Sequence, residues 1–273
     1  MAADVLLAAG LDCHLDGCSF PAPGTEIFTF GAVWEFTLFG QHVVINKPLI
    51  VLFGVVVVIA GFFLYAFRRP RLVPRGAQNV GEVGYLFIRD GIARDIIGKE
   101  GDKFVPLLFT LFFLIWGLNF VGIVPFLQIP VTSMFAIPVA FAALVYLLWV
   151  PLGIYSQGVG GFFKSMTMPP DVPKGLYVLL IPIEFLSNLI VRPFTHAVRL
   201  FANMFAGHLL ITIFTVSAWY LLSASIIGIL GSAASFVVTI ALTGFEMLIQ
   251  ALQAYVFTLL TAVYISSALH AEH

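Results

Sequence analysis

Arg199 is the residue whose type and position most demand a chemical explanation. It lies among Leu, Phe and Ala, and no Lys or Arg follows it before the C-terminus. An arginine stays protonated at physiological pH, and placing it in low-dielectric surroundings costs about 3 kcal/mol on insertion scales. Because it does not release a proton, its role must be electrostatic: to attract a carboxylate, or to bar protons and other cations.

Helical geometry separates the polar side chains near Arg199 into two faces. Thr195, Arg199 and Asn203 step by four residues and therefore share one face of a helix. His208 follows nine residues after Arg199, which places it on the opposite face and about 13 Å further along the axis. The spacing predicts one site at Arg199 and a separate site at His208.

A polar stripe runs along the last apolar segment. Glu246, Gln250 and Gln253 lie within about 40° of one another around a helix axis. Tyr264 returns to the same azimuth, so the stripe extends over about 27 Å.

The two segments that carry these faces are expected to be antiparallel helices. Glu246 then meets His208 at one depth, and Gln253 meets Arg199 at another. A His and a Glu in contact with each other and with water form a proton-accepting group. Ionisable residues within a membrane mark an ion or substrate path by default, so the pattern indicates a proton path.

Arg199 needs a carboxylate partner that its own chain does not offer. Glu246 is expected on the His208 side, and Glu184 is about 22 Å away along a straight helix. We therefore expect another subunit to supply the carboxylate.

Structural alternatives stay open for several of these side chains. The contact between the acid and the imidazole could be a buried packing pair. Gln250 is interpreted as joining helices through amide hydrogen bonds, and Asn203 fits that role as well as a proton path. His196 is interpreted as a boundary residue, and Arg192 as an interfacial charge whose head group reaches water.

The composition is that of a membrane protein. Of the 273 residues, 60% are apolar and 10% are charged, and the mean hydropathy is +1.05. Soluble domains carry about 25% charged residues. The sequence has no basic stripe for nucleic acid and no glycine-rich phosphate loop. We therefore expect no nucleic-acid partner, no nucleotide site, no cofactor and no metal.

Apolar runs predict an all-α protein with five transmembrane helices, forming a single membrane domain over 47–273 after an external segment over 1–46. Arg68 and three further arginines in 69–75 follow the first run, which places its end in the cytoplasm and the N-terminus outside. The last two helices must be long and steeply tilted, and the C-terminus falls inside. The predicted spans are about 48–67, 104–127, 133–155, 177–222 and 226–269.

The segment over about 77–98 is too polar to span. Ile88 and Ile92 recur at helical spacing, and Asp90 can pair with Arg94 at i,i+4. The segment is interpreted as an amphipathic helix on the cytoplasmic surface, with an ordinary amphipathic linker as the alternative.

Two interruptions are expected in the later part of the chain. The third run should end near Tyr155, followed by a cytoplasmic Gly- and Pro-rich loop that holds Lys164 and Lys174. Pro193 should interrupt the next helix, because proline removes a backbone donor and clashes with the preceding turn.

Cys13 and Cys18 lie close together in the external segment. A disulfide and two free thiols are both compatible with that location. A zinc site built with His14 and Asp16 fits less well, since the spacing matches no familiar pattern.

Two motifs in this order resemble the signature of a known family. The run RLFANMFAGH over 199–208 resembles the signature of the F-type ATP synthase a subunit, and Glu246 with QALQAYVF over 250–257 resembles that family's last helix. The resemblance covers the chain from the first span onward. The run VRPFTHAVR over 191–199 is most similar to actinobacterial members.

The resemblance implies a role for each site residue in a non-catalytic membrane subunit. Arg199 is the essential arginine that faces a rotating ring of c subunits. Glu184 and Thr195 match positions on a cytoplasmic half-channel. The further partners are the b subunits of the peripheral stalk, the rest of the F0F1 complex and the lipid bilayer of the bacterial plasma membrane. The half-channel open to the outside is lined by Asn203, His208, Glu246 and Gln253.

These expectations favour a proton-conducting stator subunit over two rivals. A proton-coupled secondary transporter predicts an internal repeat, and the sequence shows none. A purely structural anchor predicts that replacing Arg199 leaves coupling intact. Sodium coupling stays open, because the ion ligands of the family lie mainly on the c subunit.

Overall fold

The computed structural model describes residues 23–38, 41–124, 127–168, 176–222 and 226–269. Within these ranges, four helices are long and apolar enough to cross a membrane, and Val105–Val121 is a shorter apolar helix. The predicted fold class, an all-α polytopic membrane protein, is confirmed, with one β-hairpin added. Cys13, His14, Asp16, Cys18 and Lys174 lie outside the described residues.

The helices of ten residues or more are numbered along the described part of the chain. Helix α7 has 44 residues, which at 1.5 Å per residue is about 66 Å, twice the hydrocarbon thickness. The strands are β1, Ala32–Leu38, and β2, Gln41–Asn46. The helices α1 to α7 are Lys47–Ala66, Ala77–Ile88, Val105–Val121, Ala136–Thr167, Tyr177–Leu186, Arg192–Leu221 and Ile226–Leu269.

The chain folds as two compact units. Helices α1, α3, α6 and α7 each contribute residues to both. The first unit holds the described residues of Met1–Val55, Trp116–Met134 and Ala202–Leu252. The second unit holds the described residues of Val56–Ile115, Phe135–Phe201 and Gln253–His273.

The first unit contains the β-hairpin, which the sequence did not predict. Its strands pair antiparallel, with Trp34 opposite Ile45 and Thr37 opposite His42. Trp34 is 74% exposed, so the hairpin buries little of its apolar surface. Its backbone pairing holds it together where side-chain burial does not.

The second unit has two apolar cores, both of which include residues of α7. One is built on Trp149, Leu200 and Phe257. The other packs Ile88 and Ile92 against α3 and the C-terminal part of α7. Both isoleucines are fully buried, so the apolar face predicted for the segment over 77–98 lies against the protein.

An acidic side chain links that segment to the following turn. Asp102 accepts hydrogen bonds from Arg94 Nη2 at 2.8 Å and from Arg89 Nε at 3.3 Å, and the predicted Asp90–Arg94 pair is present at 3.4 Å. The hydrogen bonds from Arg94 and Arg89 hold the pKa of Asp102 well below its usual range. The ionised carboxylate therefore stabilises the folded state at neutral pH, and this stabilisation is lost only in strong acid.

Replacing Asp102 with asparagine should loosen the turn Lys99–Lys103. We expect backbone amides there to exchange with deuterium about two- to fivefold faster, because an amide replaces a carboxylate in an exposed ion pair. Mass spectrometry of the purified complex measures the exchange. Asp95→Asn is the control, since Asp95 is exposed and lies outside this network. Equal rates in Asp102→Asn and Asp95→Asn would contradict the assignment.

Helix α4 is longer than predicted. The third span was expected to end near Tyr155, but α4 continues to Thr167 and includes Lys164. The chain bends at Gly158, where φ is +74°, a conformation open to glycine. The side chain of Gln157 fixes the bend by donating to the carbonyls of Ser267 and Ala268 at 3.0 and 2.9 Å. The expected loop therefore begins as a bent helical extension.

The helix continues through Pro193, and the turn before this proline is wider than an α-helical turn. A π-helical turn, Ser187–Val191, joins α5 to α6 directly before Arg192. The proline lacks a backbone donor, and its ring would clash with the carbonyl four residues earlier in an α-helix. A wider turn removes that clash and keeps the helix continuous.

Candidate functional site

Helices α6 and α7 pack antiparallel in the first unit, as expected. Ser232 donates to the carbonyl of Ala218, and Gln250 Nε2 lies 3.7 Å from Met204 Sδ. The contacting residues of α6 have lower numbers where those of α7 have higher numbers, which is the register of an antiparallel pair. This register brings the level of His208 on α6 to that of Glu246 on α7.

Glu246 is buried against a glycine. The residue is 4% exposed, and a Cβ on Gly207 would lie 2.8 Å from the Cδ atom of Glu246. Oε1 accepts a hydrogen bond from Gln250 Nε2 at 3.4 Å. Oε2 has no hydrogen-bond partner among the described residues. One carboxyl oxygen is therefore buried and open to a proton or to a water molecule.

His208 and Glu246, which the sequence predicts to meet at one depth, lie at one level of the helix pair. No ion pair joins them in the part of the chain that the structure describes. Successive residues of a helix are about 100° apart, so when Gly207 faces α7, His208 turns aside. The imidazole is buried, and its ring centroid lies 5.9 Å from that of Phe28. The predicted depth agrees with the structure, and a contact between the two side chains through water stays a prediction.

Arg199, in the second unit, has an exposed side chain. Among the described residues, no ion pair includes it. Thr195 is exposed as well, and its hydroxyl donates to the carbonyl of Arg192 at 3.0 Å. Gln253 is 5% exposed. Its expected meeting with Arg199 stays a prediction.

Asn203, in the first unit, is also exposed. Its place in a proton path rests on the sequence pattern.

Glu184 has a neighbour to which the sequence assigned no role. Asn188 is buried and donates from Nδ2 to Glu184 Oε2 at 3.1 Å and to the carbonyl of Met166 at 2.7 Å. Asn188 Oδ1 has no partner within the described ranges. The i,i+4 spacing of an acid and an amide was the available signal.

His196, which the sequence analysis interprets as a boundary residue, is buried in the core of the second unit. It is 2% exposed, and its ring centroid lies 3.8 Å from that of Phe257 and 5.8 Å from that of Tyr264. Its Nε2 has no hydrogen-bond partner in the described part of the protein. His196 shares a helix face with the fully buried Leu200, and nearness to Pro193 carried no information about that face.

Fold and site together define a multi-pass helical membrane protein with ionisable side chains buried in its last two helices. The family model described as ATP synthase A chain matches residues 49–266. The chain therefore belongs to the ATP synthase A chain family, whose members take part in proton translocation by the membrane sector of the synthase.

Relatives from several actinobacteria agree with this assignment. An ATP synthase subunit a from Streptomyces lividans is 48% identical over 273 residues, covering 98% of this chain and 94% of that protein. One from Frankia alni is 41% identical over 258 residues, covering 93% and 88%. One from Rhodococcus erythropolis is 46% identical over 219 residues, covering 79% of each. The predicted family resemblance is confirmed.

Proposed function

We propose that this chain is the proton-conducting stator subunit of a rotary ATP synthase in the bacterial plasma membrane. The observation that carries the proposal is Arg199, an exposed guanidinium in a long apolar helix with no ion pair to a carboxylate of the described residues. Such a charge in an apolar membrane needs a counter-charge. A carboxylate on a ring of c subunits supplies it.

The outer half-channel leads from outside to that ring. The buried Glu246, with one carboxyl oxygen open, is its proton acceptor. His208 lies at the same level without an ion pair to Glu246, so a proton passes between them through water. A proton that reaches the c-ring carboxylate neutralises it and lets it move into lipid. The half-channel is lined by Asn203, His208, Glu246 and Gln253.

The cytoplasmic half-channel receives the proton after nearly a full rotation. Glu184 and Thr195 belong to it, and we add Asn188 because it donates to Glu184 and leaves its own carbonyl oxygen open. Arg199 separates the two half-channels. One proton crossing 100 mV delivers about 2.3 kcal/mol, so several protons are needed per ATP. A path that bypassed Arg199 would dissipate the proton-motive force.

The same proposal specifies the membrane topology of the chain and its partner subunits. The N-terminus lies outside and the C-terminus in the cytoplasm, and residues 47–273 act as one membrane domain. The partners are the c-subunit ring, the b subunits of the peripheral stalk and the rest of the complex. ATP-driven proton uptake by vesicles that hold the assembled complex tests the proposal. Variants of the path residues must lower uptake without removing the chain from the complex.

Replacing Gly207 with alanine should slow proton uptake while leaving assembly intact. The new methyl group would occupy the space of the Glu246 carboxyl. That carboxyl is the end of a flexible side chain, so it moves aside at little cost to folding. We expect uptake to fall several-fold at an unchanged amount of assembled complex, measured by quenching of a pH-sensitive dye in vesicles.

Gly244→Ala is the matched control for Gly207→Ala. Gly244 lies in the same unit on α7, and nothing lies within 4 Å of a Cβ placed there. We expect uptake at the unsubstituted level. If both variants behaved alike, or if Gly207→Ala kept full uptake, the position of Glu246 would not limit the proton path.

A further inference from the structure

A groove in the second unit runs between α1 and α3 and encloses about 650 Å³. Its walls are mainly apolar and include four phenylalanine rings. The centroids of Phe63 and Phe109 are 4.7 Å apart, and those of Phe63 and Phe113 are 5.0 Å apart. Thr110 also lines it, but its hydroxyl donates to the carbonyl of Pro106 at 2.8 Å. The walls therefore offer an occupant apolar contact and little else.

One end of the groove is charged. Arg68 lines it just beyond the end of α1, and Arg69, Arg71 and Arg75 follow within seven residues. All four are exposed. No ion pair to a carboxylate of the described residues includes any of the four.

The contrast with the next arginines along the chain is informative. Arg89 and Arg94 both bind Asp102. Within the described residues, Arg89 and Arg94 are therefore neutralised by an acid of this chain, whereas the cluster at the end of α1 has no carboxylate counter-charge. An anion from outside the chain meets that requirement.

We infer that the groove binds an anionic phospholipid, with one acyl chain along the phenylalanine rings and the phosphate held by Arg68. A volume of 650 Å³ is in the range for a single small ligand. A basic pocket between transmembrane helices at the cytoplasmic surface is the arrangement that recognises anionic lipid head groups. The planar guanidinium suits phosphate because it can donate two parallel hydrogen bonds.

The occupant must combine an apolar tail with a negative head at one end only. A membrane helix of a partner protein would also fit apolar walls, but it would need an acidic side chain at the level of Arg68. A phospholipid carries both features and is present wherever the protein is. The inference does not depend on proton conduction through Arg199.

The first test measures phospholipid retained by the purified, assembled complex. The complex is exchanged into detergent with equal amounts of phosphatidylglycerol and phosphatidylcholine of the same acyl chains, and the bound lipid is measured by mass spectrometry. We expect retention of phosphatidylglycerol, reduced about fivefold by Arg68→Gln. Lys47→Gln at the other end of α1 removes one positive charge and should change nothing. Equal retention of both lipids, or equal effects of both variants, would overturn the inference.

A second variant separates the acyl chain from the head group. Ala60 lines the groove, so Ala60→Trp should fill it and displace the lipid while Arg68 stays in place. Ala140→Trp adds the same bulk at an exposed position of α4 and is the control. A photoreactive amino acid at position 64, also on the groove wall, should crosslink to phospholipid. Retention of lipid by Ala60→Trp, or a crosslink to another subunit instead, would refute the assignment.

Discussion

Replacing Arg199 with alanine should abolish ATP-driven proton uptake while the complex still assembles. The exposed side chain has no ion pair among the described residues, so its removal leaves no buried partner unsatisfied and folding is spared. In the proposed mechanism, the barrier between the half-channels disappears with it, and the c-ring carboxylate loses its counter-charge. We expect uptake to fall to the level of vesicles without the complex, with normal amounts of the chain in the membrane.

Arg192→Ala is the matched control for Arg199→Ala. Arg192 is exposed on the same helix, and Thr195 bonds to its backbone carbonyl, which the substitution retains. Uptake near the unsubstituted level is expected. Normal uptake with Arg199→Ala would sink the proposal and favour a structural anchor. A similar loss with Arg192→Ala would show that any lost charge on α6 has this effect.

Replacing Glu246 with glutamine should lower proton uptake about tenfold or more, because positioned acid–base groups contribute at least that much to proton transfer. Glutamine has nearly the same shape, so packing against Gly207 is retained. The amide cannot accept a proton at neutral pH, so the proposed relay through Oε2 is lost. Dye quenching in vesicles, normalised to the amount of assembled complex, measures the effect.

Gln250→Ala is the comparison for Glu246→Gln. It removes the hydrogen bond to Glu246 at 3.4 Å and the contact with Met204 Sδ, but it leaves the carboxyl in place. We expect a reduction of at most about twofold, because the substitution removes one bond within α7 and one weak contact between helices. Equal, mild effects of the two substitutions would reject Glu246 as the proton acceptor of the outer half-channel.

The helices were predictable because apolar runs and their interruptions are written directly in the sequence. The predicted run over 226–269 corresponds to Ile226–Leu269, and the level of Glu246 against α6 followed from rise per residue alone. Its partner did not follow, because the rotation of one helix against another depends on side-chain size at the contact. Gly207 allows Glu246 to approach α6, an arrangement that periodicity within either helix cannot reveal.

Other features escaped prediction for related reasons. His196 looked like a boundary residue because Pro193 is close in sequence, whereas its burial depends on which face of α6 packs against Phe257. The bend at Gly158 depends on one backbone angle that is open to any glycine. The hairpin at 32–46 exposes Trp34, so it lacks the buried alternation by which a strand is recognised.

The π-helical turn Ser187–Val191 sets the rotation of the helical segment before it relative to the segment after it. A π turn contains one residue more than an α-helical path of equal rise. The direction of Glu184 around the axis is thereby shifted by roughly 100° from where uninterrupted counting back from Arg199 would place it. Gain or loss of a single residue in this turn would rotate Glu184 while leaving Arg199 in place. Insertion or deletion of one residue can thus change the direction of the side chains before the turn without changing the direction of those after it.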